Sequence, residues 1–313
     1  MQKILGLALL GSAMFSSAIA LAPRTSSNQT LLAISAPIHT IPNYHAKQVN
    51  PVPEQIELFQ HLIQYATEQK LSDRPISQIM QAFSKQLLGA SYKSNLLDES
   101  NEEKLVISLD KFDCVLFVET VLALTRTIAA KDHTYSTFVN HIREQRYRDG
   151  ELNGYCSRLH YFSDWINDNE RRQHIQNITQ QLGGIPLNKQ LNFMSKHRQS
   201  YSQLATNDTN YQCIIDIEKR LNQLNINYIP TNQIRRVYSQ LQPGDIIAVA
   251  TSIEGLDVTH TGLVYQHPNG NIGFIHASPA GSVTIAQDLQ GYIANVKNAI
   301  GIIVARPIDP HQI

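Results

Sequence analysis

The chain has 313 residues, of which 26 are Lys or Arg and 26 are Asp or Glu, so its formal net charge at pH 7 is zero. Because no Lys/Arg cluster marks a phosphate-binding face, the composition excludes nucleic acid as an expected partner. A chain of this length can bury a substantial core, as one large domain or as two modest ones.

The first twenty residues have the pattern of a secretory signal peptide. Met1–Lys3 is a short basic start, Ile4–Phe15 is an apolar core, and Ser16–Ala20 has small residues with an Ala-x-Ala ending. The apolar core is too short for a transmembrane anchor, so no integral membrane span is expected. We expect residues 1–20 to be removed and the mature protein to be exported, periplasmic or secreted. Residues 21–50, rich in Ser, Thr, Asn and Pro, are predicted to form a flexible leader.

Helices come first in the predicted single domain, which spans residues 51–307 and leaves 308–313 as a tail. The apolar periodicity predicts amphipathic helices, and one of them has almost no polar face and should lie in the centre of the fold. The predicted elements are a helix at Pro53–Lys70, a helix capped by Ser72 or Asp73 and ended by Gly89, a short strand at Leu105–Ile107, the central helix from Cys114 to about Ala130, and a helix at Tyr135–Arg146.

The pattern changes from helical to β-rich after residue 245. Short segments with β-branched residues alternate with turns such as Pro268-Asn269-Gly270. These predicted strands are Ile246–Ala250, Thr259–Tyr265, Ile272–His276, Ser282–Ile285 and Ile300–Val304. Helices followed by an antiparallel sheet predict an α+β fold.

Cys114 stands at the start of the central helix. Asp113 is a suitable N-cap, since its carboxylate can accept a hydrogen bond from an unpaired amide of the first turn. Cys114 would then lie at the positive end of the helix dipole, which lowers the pKa of a thiol and makes it a nucleophile. The alternative is a small buried apolar residue. Because the chain has three cysteines, at least one stays free, whereas Cys156 and Cys213 either pair or are both buried.

A nucleophilic cysteine needs a base, and the base needs an orienting partner. His260 begins one predicted strand and His276 ends the next, so a hairpin turning near Asn269 should bring them roughly opposite each other. One ring can then accept the thiol proton while the other fixes its tautomer. Taken singly, each histidine is more often a surface or a satisfied core residue. No Cys-x-x-Cys or His-Glu-x-x-His pair occurs, so no metal and no cofactor is expected. A metal hydrolase built on both histidines and Asp257 is the weaker alternative.

Seven motifs carry a family resemblance. They are Leu88-Gly89-Ala90-Ser91-Tyr92, Phe112-Asp113-Cys114 with Phe117-Val118-Glu119-Thr120, Arg146-Tyr147-Arg148-Asp149-Gly150, Ser157-Arg158-Leu159-His160-Tyr161-Phe162 with Trp165-Ile166, Leu256-Asp257-Val258-Thr259-His260, His260-Thr261-Gly262, and Ile275-His276-Ala277-Ser278. Together they resemble the NlpC-type cell-wall cysteine hydrolases, which are papain-like bacterial enzymes. They resemble more narrowly the N-acetylmuramoyl-L-alanine amidase-like family, over about residues 51–307.

The resemblance implies a papain-like fold, with the nucleophile at the N-terminus of a central helix that packs on an antiparallel sheet or half-barrel. It implies Cys114 as nucleophile, His260 as general base and His276 as orienting residue. The residues expected at the substrate are Tyr92, Ser157, Arg158, His160, Tyr161, Trp165 and Asp257. The implied reaction is hydrolysis of the amide between N-acetylmuramic acid and L-alanine, preferably in muropeptides with an anhydro sugar end.

Val115 and Leu116 stand where the family often has hydroxyl residues, and Cys156 stands where a smaller residue is common. These departures leave the substrate preference open.

The residues themselves predict the same chemistry. The thiolate attacks an amide carbonyl to form an acyl-enzyme, and the amide of Cys114 meets the oxyanion, because N–H groups at a helix N-terminus are unpaired. Arg158 is either a clamp for a substrate carboxylate or an ion-pair partner of an acid such as Asp164. Tyr161 and Trp165 either stack on a sugar or pack in the core.

Two other functions keep the same fold. One is an endopeptidase that cuts the stem peptide between D-glutamate and the diamino acid, and the other is a wall-binding module without turnover. In each case the expected partner is peptidoglycan or a muropeptide, and the protein is expected to be a monomer.

Overall fold

The computed structural model describes residues 52–310. The signal peptide predicted for residues 1–20, the leader predicted for 21–50 and the last three residues of the predicted tail lie outside the described residues. Among the helices of residues 52–310, none is long and apolar enough to cross a membrane.

Helices and strands alternate in the first part of the described chain, and strands dominate the last part. In chain order the elements are α1 (Pro53–Glu68), α2 (Ile76–Gln86), β1 (Ser91–Tyr92), β2 (Lys111–Phe112), α3 (Cys114–Ala129), α4 (Tyr135–Arg146), α5 (Phe162–Arg171), β3 (Ile175–Asn177), β4 (Ile185–Pro186), α6 (Phe193–Lys196), α7 (Ser202–Ala205), α8 (Asp208–Leu221), β5 (Asn227–Pro230), β6 (Ile246–Thr251), β7 (Val258–Gln266), β8 (Ile272–Ala277), β9 (Val283–Ala286), α9 (Leu289–Asn295) and β10 (Ala299–Pro307). Short 3-10 turns lie at Leu71–Asp73, Leu96–Asp98, Arg148–Gly150, Tyr155–Ser157, Arg198–Ser200 and Thr231–Gln240.

β3 to β10 form one antiparallel sheet in the order β4-β5-β10-β6-β7-β8-β9, and β3 pairs with β10 as well. The small strands β1 and β2 pair in parallel outside it. The predicted α+β class is confirmed, as are all five predicted strands, whose observed ends differ from the predicted ends by three residues at most. Short runs of β-branched and apolar residues, buried throughout in β6 and β8, alternate with turns that contain Gly and Pro, and this pattern made the strands predictable.

α3 is the central helix, as predicted. It packs on β7 and β8 on one side and on α2 and α4 on another. Residues 116–125 are all buried, including Glu119 and Thr120. Because the helix is covered on several sides, its apolar side chains repeat without a polar stripe.

Two local predictions are wrong. Leu105–Ile107 forms no strand, because the Val106 carbonyl accepts a hydrogen bond from Arg146 Nη1 (2.5 Å), and the short strand lies instead at Lys111–Phe112. Neither Ser72 nor Asp73 caps the second helix, which begins at Ile76 and has Pro75 at its N-cap. A residue that precedes proline avoids helical angles, and Arg74 is extended (φ −102°, ψ 155°), so the helix cannot begin earlier.

Candidate active site

Cys114 is the first residue of α3, and its helix end is capped as predicted. Asp113 Oδ1 accepts hydrogen bonds from the amides of Val115 (2.9 Å) and Leu116 (2.8 Å). Cys114 is a free cysteine, and the residue as a whole is partly exposed. The predicted N-cap and helix start are therefore confirmed. The helix that begins here packs on β7 and β8 of the sheet.

His260 and His276 form a hydrogen-bonded pair. His260 Nε2 lies 2.7 Å from His276 Nδ1, and the two side chains are 7% and 1% exposed. The β7–β8 ladder ends with the pair Leu263 and Ile275, and both histidines lie beyond that pair. Continuing this register places His276 level with Gly262 rather than with His260. The two rings meet along a diagonal with an offset of two residues, which agrees with the expectation that they lie roughly opposite each other.

Gly262 leaves the room for this diagonal contact. A Cβ atom at this position would lie 2.6 Å from the Phe274 ring and 2.7 Å from the Cβ of His276. Phe274 stacks on His276 with ring centroids 4.8 Å apart, and Tyr292 of α9 lies 4.6 Å from the same imidazole. The histidine pair is thus enclosed by aromatic rings.

Thr261 joins the first residue of α3 to the strand that carries His260. Its hydroxyl donates to the backbone carbonyl of Cys114 (2.8 Å), and its side chain is 1% exposed. Since Thr261 follows His260 directly, this bond fixes the first residue of α3 beside the histidine strand.

The resting site is electrically neutral at the thiol and the imidazoles. Burial, and then the Asp113 carboxylate, raise the pKa of Cys114 from 9.0 to about 11, although hydrogen bonds from Thr261 act in the opposite direction. Burial, and then His276, lower the pKa of His260 to about 3, and burial lowers that of His276 to about 4. The predicted lowering of the thiol pKa by the helix end is therefore wrong, because desolvation outweighs the dipole.

Two tyrosines lie within electrostatic reach of the thiol. Burial, and then the Cys114 charge, raise the pKa of Tyr92 and that of Tyr292 to about 12 each. Tyr92 was predicted at the substrate, and it lies near the thiol. Tyr292 was missed, because nothing in its local sequence shows that α9 folds back onto the histidine pair.

Arg158 forms an ion pair, one of the two alternatives considered, but not with Asp164. Its guanidinium donates to Asp98 Oδ1 (2.5 Å) and to the Leu97 carbonyl (2.9 Å), and it lies 3.6 Å from Glu103 Oε2. The side chain is buried, so it does not line an open groove as a clamp. Asp164 instead pairs with Arg148.

Three other residues predicted at the substrate lie in the interior. Tyr161 is 2% exposed and donates to Glu218 Oε1 (2.7 Å), and Trp165 is 1% exposed and donates to Glu119 Oε1 (3.2 Å). Asp257 is 1% exposed and accepts from the amides of residues 163 and 258, both at 2.7 Å. Their polar groups are used to satisfy buried partners, so core packing is their role.

Ser157 and His160 are partly exposed and remain predicted substrate residues. The Ser157 hydroxyl donates to the Gly154 carbonyl (2.8 Å), and His160 Nε2 lies 2.8 Å from the Tyr155 carbonyl oxygen. Both residues stay partly exposed despite these hydrogen bonds.

Cys156 and Cys213 are joined in a disulfide, with their Cα atoms 6.1 Å apart. This settles the two alternatives left by the cysteine count in favour of pairing. Within residues 52–310 no group of three or more His, Cys, Asp or Glu side chains is arranged to hold a metal ion.

A free cysteine at a capped helix N-terminus, tied by Thr261 to the strand of a hydrogen-bonded histidine pair, is an arrangement typical of hydrolases that use a nucleophilic side chain. The family model described as N-acetylmuramoyl-L-alanine amidase-like (AmiA-like) matches residues 82–302. The chain belongs to this family, as the sequence motifs predicted, and is an amidase-like hydrolase.

Solved structures share this fold, and one of them has the same amidase name. An N-acetylmuramoyl-L-alanine amidase from Bacteroides uniformis matches with a TM-score of 0.70 and 32% identity, over 74% of this chain and 99% of its own. A Bacteroides fragilis structure, whose name proposes a xylanase, matches with a TM-score of 0.65 and 31% identity, over 72% of this chain and 99% of its own. A Legionella pneumophila protein shares the fold at 19% identity, with a TM-score of 0.62 over 82% of this chain and 94% of its own. Among curated proteins, none matches significantly.

Proposed function

We propose that the protein is a cysteine-dependent amidase that hydrolyses the bond between N-acetylmuramic acid and L-alanine in peptidoglycan fragments, including those with an anhydro sugar end. The observation that carries this proposal is the free Cys114 thiol at the capped start of α3. The backbone carbonyl of Cys114 accepts a hydrogen bond from Thr261, the residue that follows His260. We also propose that the fold is papain-like and of the NlpC type.

The histidine pair defines which nitrogen acts as the base. Nε2 of His260 is hydrogen-bonded to His276, so Nδ1 is the nitrogen that can accept the thiol proton. For Nδ1 to be unprotonated, Nε2 must carry the hydrogen of the neutral ring and donate it to His276 Nδ1. His276 then holds the tautomer and accepts a stronger, charge-assisted bond when His260 becomes an imidazolium.

The reaction proceeds in two displacements. As the thiol proton moves to His260, the sulfur attacks the carbonyl carbon of the lactyl group, and the amide of Cys114 receives the oxyanion. The C–N bond then breaks, and His260 returns the proton to the nitrogen of L-alanine. A water molecule, deprotonated by His260, attacks the thioester and releases the lactyl carboxylate and the free thiol.

The neutral resting pair has a consequence for this mechanism. With a thiol pKa of about 11 and a His260 pKa of about 3, the ionised pair is a minor species before substrate binds. Proton transfer therefore accompanies attack on the carbonyl, and the histidine acts as a general base rather than as one half of a permanent ion pair.

An exported location fits the same proposal. The signal-like residues 1–20 and the disulfide between Cys156 and Cys213 are both features of proteins that leave the reducing cytosol. We propose a periplasmic or secreted enzyme that meets its peptidoglycan substrate there.

The test is product analysis on purified disaccharide–peptide muropeptides by mass spectrometry. The expected products are the intact disaccharide and a peptide with a free L-alanine amino terminus. Cys114→Ser should lower kcat/KM at least about a thousandfold, as losses of a nucleophile do. Activity should survive chelators and be lost after thiol alkylation, whereas the opposite result would favour a metal hydrolase.

Two results would contradict the proposal. Cleavage between D-glutamate and the diamino acid, with the sugar–alanine bond intact, would assign the stem-peptide endopeptidase. Binding of muropeptides by parent and Cys114→Ser alike, with no product from either, would assign the wall-binding module.

A further inference from the structure

Thr261 occupies a position that the proposed mechanism does not yet use. It lies on β7 between the base His260 and Gly262, and it is almost fully buried, with 1% of its surface exposed. Its hydroxyl makes one hydrogen bond across the interface between β7 and α3, to the carbonyl oxygen of Cys114 at 2.8 Å.

This bond is an addition to the normal helix pattern. A carbonyl oxygen has two lone pairs, and in the first turn of a helix one of them serves the amide four residues later. The Thr261 hydroxyl takes the second lone pair of the residue that carries the nucleophile. The bond therefore sets the distance between the nucleophile residue and the strand of the base.

The same contact holds the backbone amide and the hydroxyl of Thr261 close enough to the thiol to influence its ionisation. Hydrogen bonding from Thr261 is the largest influence that favours the ionised form of Cys114, against burial and Asp113, which disfavour it. An N–H donor held on a sulfur becomes a charge-assisted hydrogen bond once the thiol loses its proton. Besides the proposed base His260 and its partner His276, the charged and titratable groups near the thiol are Asp113, Tyr92 and Tyr292.

We infer that Thr261 is a positioning residue of the catalytic centre, whose hydroxyl anchors the Cys114 carbonyl so that its own backbone N–H stabilises the thiolate formed when His260 takes the proton. The inference rests on the proposed role of Cys114 and His260 as nucleophile and base. It does not depend on which amide bond the enzyme cuts. Thr261 does not touch the substrate, so its effect should appear in the chemical step and not in binding.

The experiment compares Thr261→Val with Thr261→Ser by alkylation of Cys114 with iodoacetamide, without reductant and without substrate, between pH 7 and 10. Cys156 and Cys213 are bonded to each other and do not compete. Valine keeps the shape but loses the hydroxyl, and we expect alkylation about tenfold slower at each pH, the size of one hydrogen bond to a charged group. Serine keeps the hydroxyl and should restore the parent rate. On muropeptides kcat should fall by a similar factor in the valine variant, with KM unchanged.

Thr127→Val is the matched control. Thr127 lies in the same helix, is fully buried and donates to the Ala123 carbonyl at the same distance of 2.8 Å, but it lies near the other end of α3. This variant can lose stability but should alkylate like the parent.

Alkylation of Thr261→Val at the parent rate, or an equal slowing in Thr127→Val, would overturn the inference. If the parent protein alkylates and responds to Thr261 as expected but leaves the sugar–alanine bond intact, then the proposed substrate bond is wrong and the role of Thr261 stands.

Discussion

Two effects act on the Cys114 thiol in opposite directions. The positive end of a helix dipole stabilises a nearby anion by about 0.3–1 kcal/mol. Burial and Asp113 raise the thiol pKa from 9.0 to about 11, which corresponds to about 3 kcal/mol at 1.36 kcal/mol per pKa unit. Since desolvation is the larger effect, the helix end alone does not activate the thiol. In the proposed mechanism the reactivity comes from proton transfer to His260 and from hydrogen bonding by Thr261.

Gly262→Ala should damage the histidine pair. The new Cβ would lie 2.6 Å from the Phe274 ring and 2.7 Å from the Cβ of His276, so a ring or the backbone must move. Overpacking of this kind costs about 1–3 kcal/mol, and we expect both a lower melting temperature and a large loss of kcat. Gly270→Ala, in the turn of the same hairpin, separates the two effects. Its Cβ meets nothing within 4 Å and only its φ of +85° is strained, so it should lower stability but leave kcat unchanged. Equal kcat values for the two variants would contradict the role given to Gly262.

The proposed catalytic residues could be identified in the sequence because each has a local signal. Cys114 follows a capping residue and opens an apolar helix, and His260 and His276 lie on two strands joined by a short turn. Arg158, Tyr161 and Trp165 also stand in motifs, but their partners Asp98, Glu218 and Glu119 are 46 to 60 residues away along the chain. A polar or aromatic side chain gives the same sequence pattern whether its partner is a substrate or a distant buried acid, so their core roles required the fold.

At the scale of elements, the start of α3 combines structural and chemical roles. Asp113 caps the helix through two amide bonds, yet its charge opposes ionisation of the adjacent thiol. Behind it lies a buried network in which Glu119 accepts from both Arg146 (2.7 Å) and Trp165 (3.2 Å). Burial raises the pKa of Asp113 to about 6, and the Glu119 charge adds to this effect.

Asp113→Asn should separate the cap from the charge. An asparagine side-chain oxygen can accept the same two amide hydrogen bonds, so α3 should keep its start. Removal of the negative charge should lower the thiol pKa, and Cys114 should react faster with iodoacetamide at pH 8. Asp113→Ala removes the cap as well and should lower the free energy of unfolding by about 1 kcal/mol. An asparagine variant that reacts no faster than the parent would show that the Asp113 charge does not control the thiol.

The same substitution changes the dependence of stability on pH. The pKa of Asp113 is about 6 in the folded protein, against about 3.9 in an unfolded chain. The neutral carboxyl therefore favours the folded state, and this contribution is fully present below about pH 4 and lost as the pH rises through 6. Between pH 5 and pH 8 the melting temperature of Asp113→Asn should fall less than the melting temperature of the parent.

Long elements were predictable from their periodicity, and short ones were not. α3, α4 and the five late strands carry regular apolar patterns over several turns or residue pairs. By contrast, β2 exists because Lys111 and Phe112 pair with Ser91 and Tyr92, about twenty residues earlier. The Asn- and Gln-rich section between residues 171 and 232 contributes β3, β4 and β5 to the sheet, and their pairing partners lie far along the chain.

At the scale of the whole molecule, the sheet separates two apolar clusters, and a third lies under the helices of the middle section. The cluster around α3 contains Leu263 and Ile275, and the cluster on the other face of these strands contains Val264 and Phe274. The third cluster is built from α6, α7, α8 and the segment that includes Tyr155 and Tyr161. Cys213 packs against this third cluster, and its disulfide with Cys156 ties that segment to α8, away in the sequence from Cys114 and the histidine pair.

The double substitution Cys156→Ser and Cys213→Ser should therefore lower stability without stopping the chemistry. The bond closes a loop of 57 residues, for which loop-closure entropy gives a contribution of about 4 kcal/mol. For a domain of this size such a loss lowers the melting temperature by about 8–16 °C. Below the melting transition kcat should stay near that of the parent, because Cys114, His260 and His276 all lie outside the closed loop. Cys114→Ser provides the comparison, with kcat abolished and the melting temperature little changed. If the double variant has the melting temperature of the parent, the third cluster is stable without the disulfide. If its kcat at 25 °C falls strongly, the loop between Cys156 and Cys213 contributes to the reaction, contrary to this prediction.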